Sequence, residues 1–276
     1  MKYVIISIVA IAAVFGLSFL ITGLIRRKLK RKPPMWGHIL ISIGSGVAAL
    51  GVVFLIFANI HYPADAEAKK VLNEPGSIKV SGIEGGYMLD GEGKDTAIVF
   101  YPGAKVDAES YLPLMKRLAE NGVDCFLLKP PMGMAIFDMN AAERIVGKYD
   151  YDKWLLSGHS MGGIAAAGCA TDNPEKIYGV VLLASYPNRA MNKDTRLLSI
   201  YGSEDKVLEH GAYEDARSYF PQNAYEVIIE GGNHAGFGNY GKQNGDGTAA
   251  ISSEEQQEKT VEEILKLLEN AKMTRY

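Results

Sequence analysis

Cysteine is nearly missing from this sequence: 276 residues contain only Cys125 and Cys169. Each sits in a small or apolar run, at 123–128 and 164–170, so the pair reads as core filler, not as a disulfide framework. No Cys/His spacing of a metal site occurs either, and no metal or cofactor is expected. Carboxylates are absent from residues 1–60, which carry the seven cations Lys2, Arg26, Arg27, Lys28, Lys30, Arg31 and Lys32. That leaves 22 basic against 32 acidic residues in 61–276, a charge of about −10. Such a remainder lacks the basic face a nucleic-acid partner requires, so that partner class is excluded.

Charge of either sign is missing from two long runs, 3–25 and 39–60. As helices each would reach about 35 Å at roughly 1.5 Å per residue, enough to cross a bilayer core. Trp36 and Tyr62 flank the second run, where interfacial aromatics usually sit. Between the runs lie six of the cations. The positive-inside bias assigns that loop to the cytoplasm, and residues 61–276 to the extracytoplasmic side of a multi-pass cell-membrane protein. A cleaved signal peptide is the competing reading of the first run. Its length, the lack of a small-x-small cleavage site and the basic cluster behind it argue against that. Small residues four apart (Ala12 with Gly16, Ser42 with Gly46, Ser45 with Ala49) offer close helix packing.

Residues 61–75 are polar, without a clear apolar period, and read as a tether. From 76 to 276 short apolar runs alternate with amphipathic ones, the pattern of an α/β domain: a mostly parallel sheet with helices on both faces, here preceded by a two-helix transmembrane hairpin. Candidate strands are 78–80 with 86–89, 96–101, 124–129, 153–157, 179–185, 197–201 and 225–229. Helices are expected at 108–121, 141–149 and 207–219. The last helix opens with a capping pair, Ser252 and Glu255, and repeats Val261, Ile264, Leu265 and Leu268 on one stripe. Only residues 186–196 separate two strands where a cap domain would be inserted, so none is expected.

Gly158-His159-Ser160-Met161-Gly162 follows the apolar run 154–156 and precedes the small-residue run 164–170. Strand, sharp turn and helix in that order make a nucleophile elbow, whose glycines are needed because a Cβ there would collide with its neighbours. A serine hydroxyl needs a base, and the base needs an acid to hold its tautomer. Asp205 follows the strand 197–201, with Glu204 as runner-up. His234 follows the strand 225–229 and completes the chain order serine, acid, histidine. The oxyanion donors are assigned to the backbone of Met161, at the positive end of its helix, and of Ala104 in the loop after strand 96–101.

With these motifs in order, residues 78–272 resemble the α/β-hydrolase superfamily, near its small, capless, dienelactone-hydrolase-like branch. The resemblance implies a serine hydrolase acting on a small or lipid-like carboxylic ester. A peptide or amide hydrolase, an acyltransferase and a non-catalytic binding module are the alternatives. Pro102 stands where many relatives have His, which bears on the second oxyanion donor. The segment 234–247 is similar to one in small membrane-tethered members. Its Phe237 and Tyr240, with Lys105, are candidates to line the substrate pocket; the other reading of the two aromatics is that they pin the loop.

Overall fold

The computed structural model describes residues 2–29, 34–93 and 95–269, in two compact units, Met1–Ile60 and His61–Tyr276. Three of the six loop cations, Lys30, Arg31 and Lys32, lie outside the described residues.

The first unit is two helices, α1 (Lys2–Lys28) and α2 (Met35–Asn59). The stretches Ala10–Lys28 and Met35–Asn59 are long and apolar enough to cross a membrane, with mean hydropathies of 1.6 and 2.5. α1 runs past its expected end through Arg26, Arg27 and Lys28, where cations complement the carbonyl end of the helix. A seam of small polar groups joins the helices. Ser18 Oγ donates to the Ser42 carbonyl at 2.9 Å, Thr22 Oγ1 bonds Ser42 Oγ at 2.6 Å, and Ser45 meets Ser18. Gly46 lets the Phe15 ring approach to where a Cβ would lie 2.5 Å from it, so the Ser42/Gly46 pair does sit in the contact. Gly16 has nothing within 4 Å of its Cβ position and takes no part.

The second unit is built on one eight-stranded sheet. Its strands are β1 (Lys79–Ile83), β2 (Gly86–Asp90), β3 (Thr96–Tyr101), β4 (Asp124–Leu128), β5 (Lys153–His159), β6 (Gly179–Leu183), β7 (Arg196–Gly202) and β8 (Asn223–Ile229). The spatial order is β1-β2-β4-β3-β5-β6-β7-β8, parallel from β4 to β8, with β1 and β2 antiparallel at one edge. Alternate residues of each strand serve opposite faces. Ile98 and Phe100 pack under α3 (Ala66–Asn73), α4 (Leu112–Glu120) and α8 (Ser253–Leu268). Ala97, Val99 and Tyr101 pack under α5 (Ala141–Val146) and α6 (Met161–Asp172). α7 (His210–Ala216) completes the set. Ser252 caps α8 by accepting from the Glu255 amide at 3.1 Å, as the capping pair predicts.

Residues 61–75 differ from the expected tether. His61 Nδ1 lies 2.6 Å from an Asp107 carboxylate oxygen. The Tyr62 amide donates to the Lys105 carbonyl at 2.6 Å, and the Asp107 amide to Tyr62 at 3.0 Å. Asp65 then caps α3 through the Ala68 amide at 2.8 Å, and Ala68 and Val71 are buried. An eight-residue helix holding two small apolar contacts carries too short a period to stand out in the sequence.

Candidate active site

The chain leaves β5 at His159 and starts α6 at Met161, so the whole turn falls on Ser160. Ser160 takes φ 53° and ψ −124°, a left-handed conformation that non-glycine residues rarely occupy. Three missing side chains make the turn possible. A Cβ on Gly158 would lie 2.3 Å from the Gly162 carbonyl carbon, one on Gly162 would lie 2.2 Å from the Tyr101 oxygen, and one on Gly163 would strike Ser185. The elbow is held from below by the Ser160 amide donating to Leu183 at 2.9 Å, and by Ser185 Oγ donating to the Ser160 carbonyl at 2.6 Å.

Asp205 follows β7 and His234 follows β8, at the same carboxyl edge of the sheet. His234 Nδ1 and Asp205 Oδ2 are 2.8 Å apart, and both residues are at most 2% exposed. Asp205 Oδ1 accepts from the amides of Val207 (2.9 Å) and Leu208 (2.8 Å), which fixes the orientation of the carboxylate. A carboxylate only accepts, so Nδ1 of His234 carries the proton and Nε2 presents its lone pair. That Nε2 is buried and has no hydrogen-bond partner among the described residues. Ser160, Met161, Ile164, Val207, Leu208 and His234 line one cavity of about 210 Å³. The Ser160 to His234 hydrogen bond is not closed, but the two residues share this cavity.

The histidine loop is fastened by side chains. Asp246 accepts from the amides of His234 (3.2 Å), Ala235 (2.9 Å) and Gly247 (2.8 Å), and more distantly from Lys206 beside the acid (3.4 Å). Buried Gln256 accepts from the Asn233 amide at 3.0 Å and donates to the Asn233 carbonyl at 2.8 Å. The acid and histidine loops are sewn together as well, with the Glu204 amide on the Gly232 carbonyl at 2.8 Å.

His159 packs against the His234 ring, the two centroids 4.5 Å apart. Tyr111 Oη accepts from the Gly103 amide at 3.1 Å and is 2.8 Å from His159 Nδ1. Its hydroxyl proton is then free to go to Nδ1, so His159 acts as acceptor there. Burial holds this imidazole well below the usual histidine range, with the nearby His234 adding to the effect, and it stays neutral.

The family described as "Alpha/beta hydrolase family" matches residues 97–258, more than half the chain. The chain belongs to the alpha/beta hydrolase family. The matched stretch runs from β3 into α8 and contains Ser160, Asp205 and His234. Among curated proteins the chain is similar to a candidate non-heme haloperoxidase of Mycobacterium phage D29, at 29% identity over 101 residues, 33% of this chain and 36% of that protein. The match thus spans about a third of the length of that relative. Among solved structures it is similar to alpha/beta hydrolase domain-containing protein 10 from mouse, with a TM-score of 0.52, 11% identity, and 71% of this chain and 99% of that one covered. The dienelactone hydrolase of Anabaena variabilis superposes at a TM-score of 0.52 and 17% identity, covering 69% and 98%. These two likenesses concern the fold.

The hydrolase fold thus brings together Ser160, Met161, Asp205 and His234, with Ala104 on the loop after β3. It does not do so for the pocket candidates. Phe237 is fully buried in the core layer under α8, its ring 5.7 Å from His159, and Tyr240 is 6% exposed and bonded to Gln243 at 3.0 Å. Both pin the loop instead of lining the cavity. Lys105 sits in the loop after β3 at φ 61°, with its amide donating to Gly133 at 2.7 Å, outside the cavity lining. Glu204 Oε1 accepts from Ser203 Oγ at 3.4 Å, and it is Asp205 that meets His234. Asp246, Gln256 and Tyr111 support the site without any local motif. A glycine-rich segment ending in Asp246-Gly247 was the only signal available for the first of them.

Proposed function

We propose that this hydrolase is membrane-anchored and cleaves a carboxylic ester through an acyl-enzyme formed on Ser160. The observation that carries the reading is the buried Asp205–His234 pair at 2.8 Å, with Nε2 left unpartnered beside a serine on a strained elbow. The Ser160 hydroxyl attacks the ester carbonyl while His234 Nε2 takes its proton, and Asp205 stabilises the resulting imidazolium. The bond to Nε2 closes as substrate seats, since catalytic hydrogen bonds commonly tighten only in the complex. The oxyanion is met by the amides of Met161, at the first turn of α6, and Ala104. Collapse expels the alcohol, which takes the proton back from His234. Water, deprotonated by the same nitrogen, then attacks the acyl group and restores Ser160.

A cavity of about 210 Å³ is smaller than the pockets that enclose drug-sized ligands, which favours a compact acyl group with the remainder of the ester lying outside. α1 and α2 supply the anchor, and the cation-rich loop between them supports an extracytoplasmic hydrolase domain. The test is turnover of a series of short p-nitrophenyl esters against the matching anilides by the full chain and by Ser160→Ala. Ester cleavage that vanishes in the variant is the expected result. Cleavage of anilides alone, or of esters by the variant, would contradict it.

A further inference from the structure

We infer that Tyr111 is a positioning residue for the oxyanion hole: its hydroxyl takes up the Gly103 amide, fixes the Gly103–Ala104 peptide beside the elbow, and leaves the Ala104 amide as the donor that meets the substrate. This deepens the ester-hydrolase reading and rests on it.

The loop after β3 starts against the elbow, since a Cβ on Gly162 would meet the Tyr101 and Pro102 oxygens at 2.2 and 2.4 Å. Its amides are almost all spent within the fold. Pro102 has none. The Gly103 amide donates to Tyr111 Oη at 3.1 Å, the Lys105 amide to the Gly133 carbonyl at 2.7 Å, and the Val106 amide to the Gly103 carbonyl at 3.2 Å. Among the described residues the Ala104 amide alone of this stretch has no hydrogen-bond partner, and Ala104 is half-buried. Backbone amides shielded from water are nearly always paired, so one left over beside the elbow is a donor available to an incoming oxygen.

The Tyr111 phenol decides which of the two adjacent amides is left over. Its Oη accepts from Gly103 and sends its own proton to His159 Nδ1, 2.8 Å away, so both roles of the hydroxyl are occupied. Burial raises the phenol well above its ordinary range, which keeps the proton on it, and the neutral His159 keeps a lone pair to receive it. His159 is the residue before Ser160, so the path Gly103, Tyr111, His159 ties the oxyanion loop to the elbow itself. The contact has no slack. A Cβ on Gly103 would lie 2.8 Å from His159 Nδ1 and 3.0 Å from Tyr111 Oη. The Tyr111 ring is fully buried, its centroid 4.9 Å from that of Phe100 in β3, so it cannot follow the loop if the loop shifts. Without the hydroxyl, the Gly103–Ala104 peptide is free to rotate, and the Ala104 amide loses its aim.

The experiment uses the full chain and Tyr111→Phe, which keeps the ring and removes both bonds. Turnover of a p-nitrophenyl ester is compared with that of its thionoester, whose carbonyl sulfur is a weak hydrogen-bond acceptor and gains little from oxyanion donors. Complete loss of one such donor costs about 10²- to 10³-fold in kcat, so a donor that has lost its aim is expected to cost about 10-fold or more on the ester. KM should hold and the thionoester rate should barely move, so the ratio of the two rates shrinks by the same factor. Equal losses on both substrates would make Tyr111 a structural brace and overturn the inference, as would an unchanged ester rate. A second measurement needs no variant and decides the matter if Tyr111→Phe does not fold. In the parent chain in detergent micelles, amide hydrogen exchange followed by nuclear magnetic resonance should find Gly103 protected about 100-fold more than Ala104. Equal exchange, or the reverse order, would overturn the inference. A parent that turns over no ester refutes the hydrolase reading and this role with it, whereas an active parent whose rate ratio survives Tyr111→Phe refutes the role alone.

Discussion

Ser160 and His234 stand at one edge of one sheet, yet the chain holds them there by opposite means. The serine is positioned by atoms that are not present: Gly158, Gly162 and Gly163 let strand, turn and helix approach to distances any side chain would forbid. The histidine is positioned by atoms that are: Asp246, Asn233, Gln256 and Asp205 hold its loop through hydrogen bonds to side chains. A site made by exclusion is contiguous in the sequence and tolerates no addition. A site made by bonding is assembled from distant residues and loses strength bond by bond.

The two construction modes can be pulled apart by mutation. The largest effect belongs to Asp205→Asn, which keeps the size of the acid but lets Nδ1 of His234 become the acceptor. Its kcat is expected to fall about 10⁴-fold with little change in thermal stability, measured by ester turnover and by melting. On the serine side, Gly158→Ala should cost about 3 kcal/mol or more in denaturant unfolding, because the new methyl meets backbone that cannot swing aside. If that variant is as stable as the parent, exclusion is not what shapes the elbow.

Asp246→Ala probes the bonded half. Releasing the amides of His234 and Ala235 lets the imidazole drift, and a drift of about 1 Å is worth roughly 10²-fold in kcat with KM nearly unchanged. A loss confined to stability would make Asp246 a structural brace without catalytic consequence. The smallest effect concerns His159. Its imidazole is depressed in the folded protein, so the unfolded chain takes up a proton first as pH falls below about 6.5. Stability contributed by the neutral ring is fully present above that value and is lost below it, by up to about 1.4 kcal/mol per pH unit. His159→Gln should therefore flatten the acid limb of a stability–pH curve and leave the neutral region alone.

The contrast also explains what could be read from residues alone. The central strands were legible because each is a short apolar run, and β3 falls at 96–101 as expected, whereas the edge strand β1, Lys79–Ile83, is mixed in polarity and runs past the expected 78–80. The acid–histidine pair was legible because its order and its strand-end positions are local facts, and Asp205 and His234 do meet. Phe237 and Tyr240 were ambiguous, since an aromatic in a glycine-rich loop packs inward or outward depending on α8, which lies far along the chain. α3 was hidden because its support comes from Asp65 as cap and from α4 across the surface, not from a long stripe of its own. The roles of Asp246 and Gln256 were invisible for the same reason: their partners are backbone amides, which every residue has.

The central claim is that Ser160 is a nucleophile activated by His234. Labelling with a fluorophosphonate and mapping the adduct by mass spectrometry tests it most directly, in the parent chain, Ser160→Ala and His234→Ala. The account predicts a single phosphonylated residue, Ser160, with no labelling in the serine variant and labelling slowed by orders of magnitude in the histidine variant. An adduct on another residue, or undiminished labelling without His234, would contradict it.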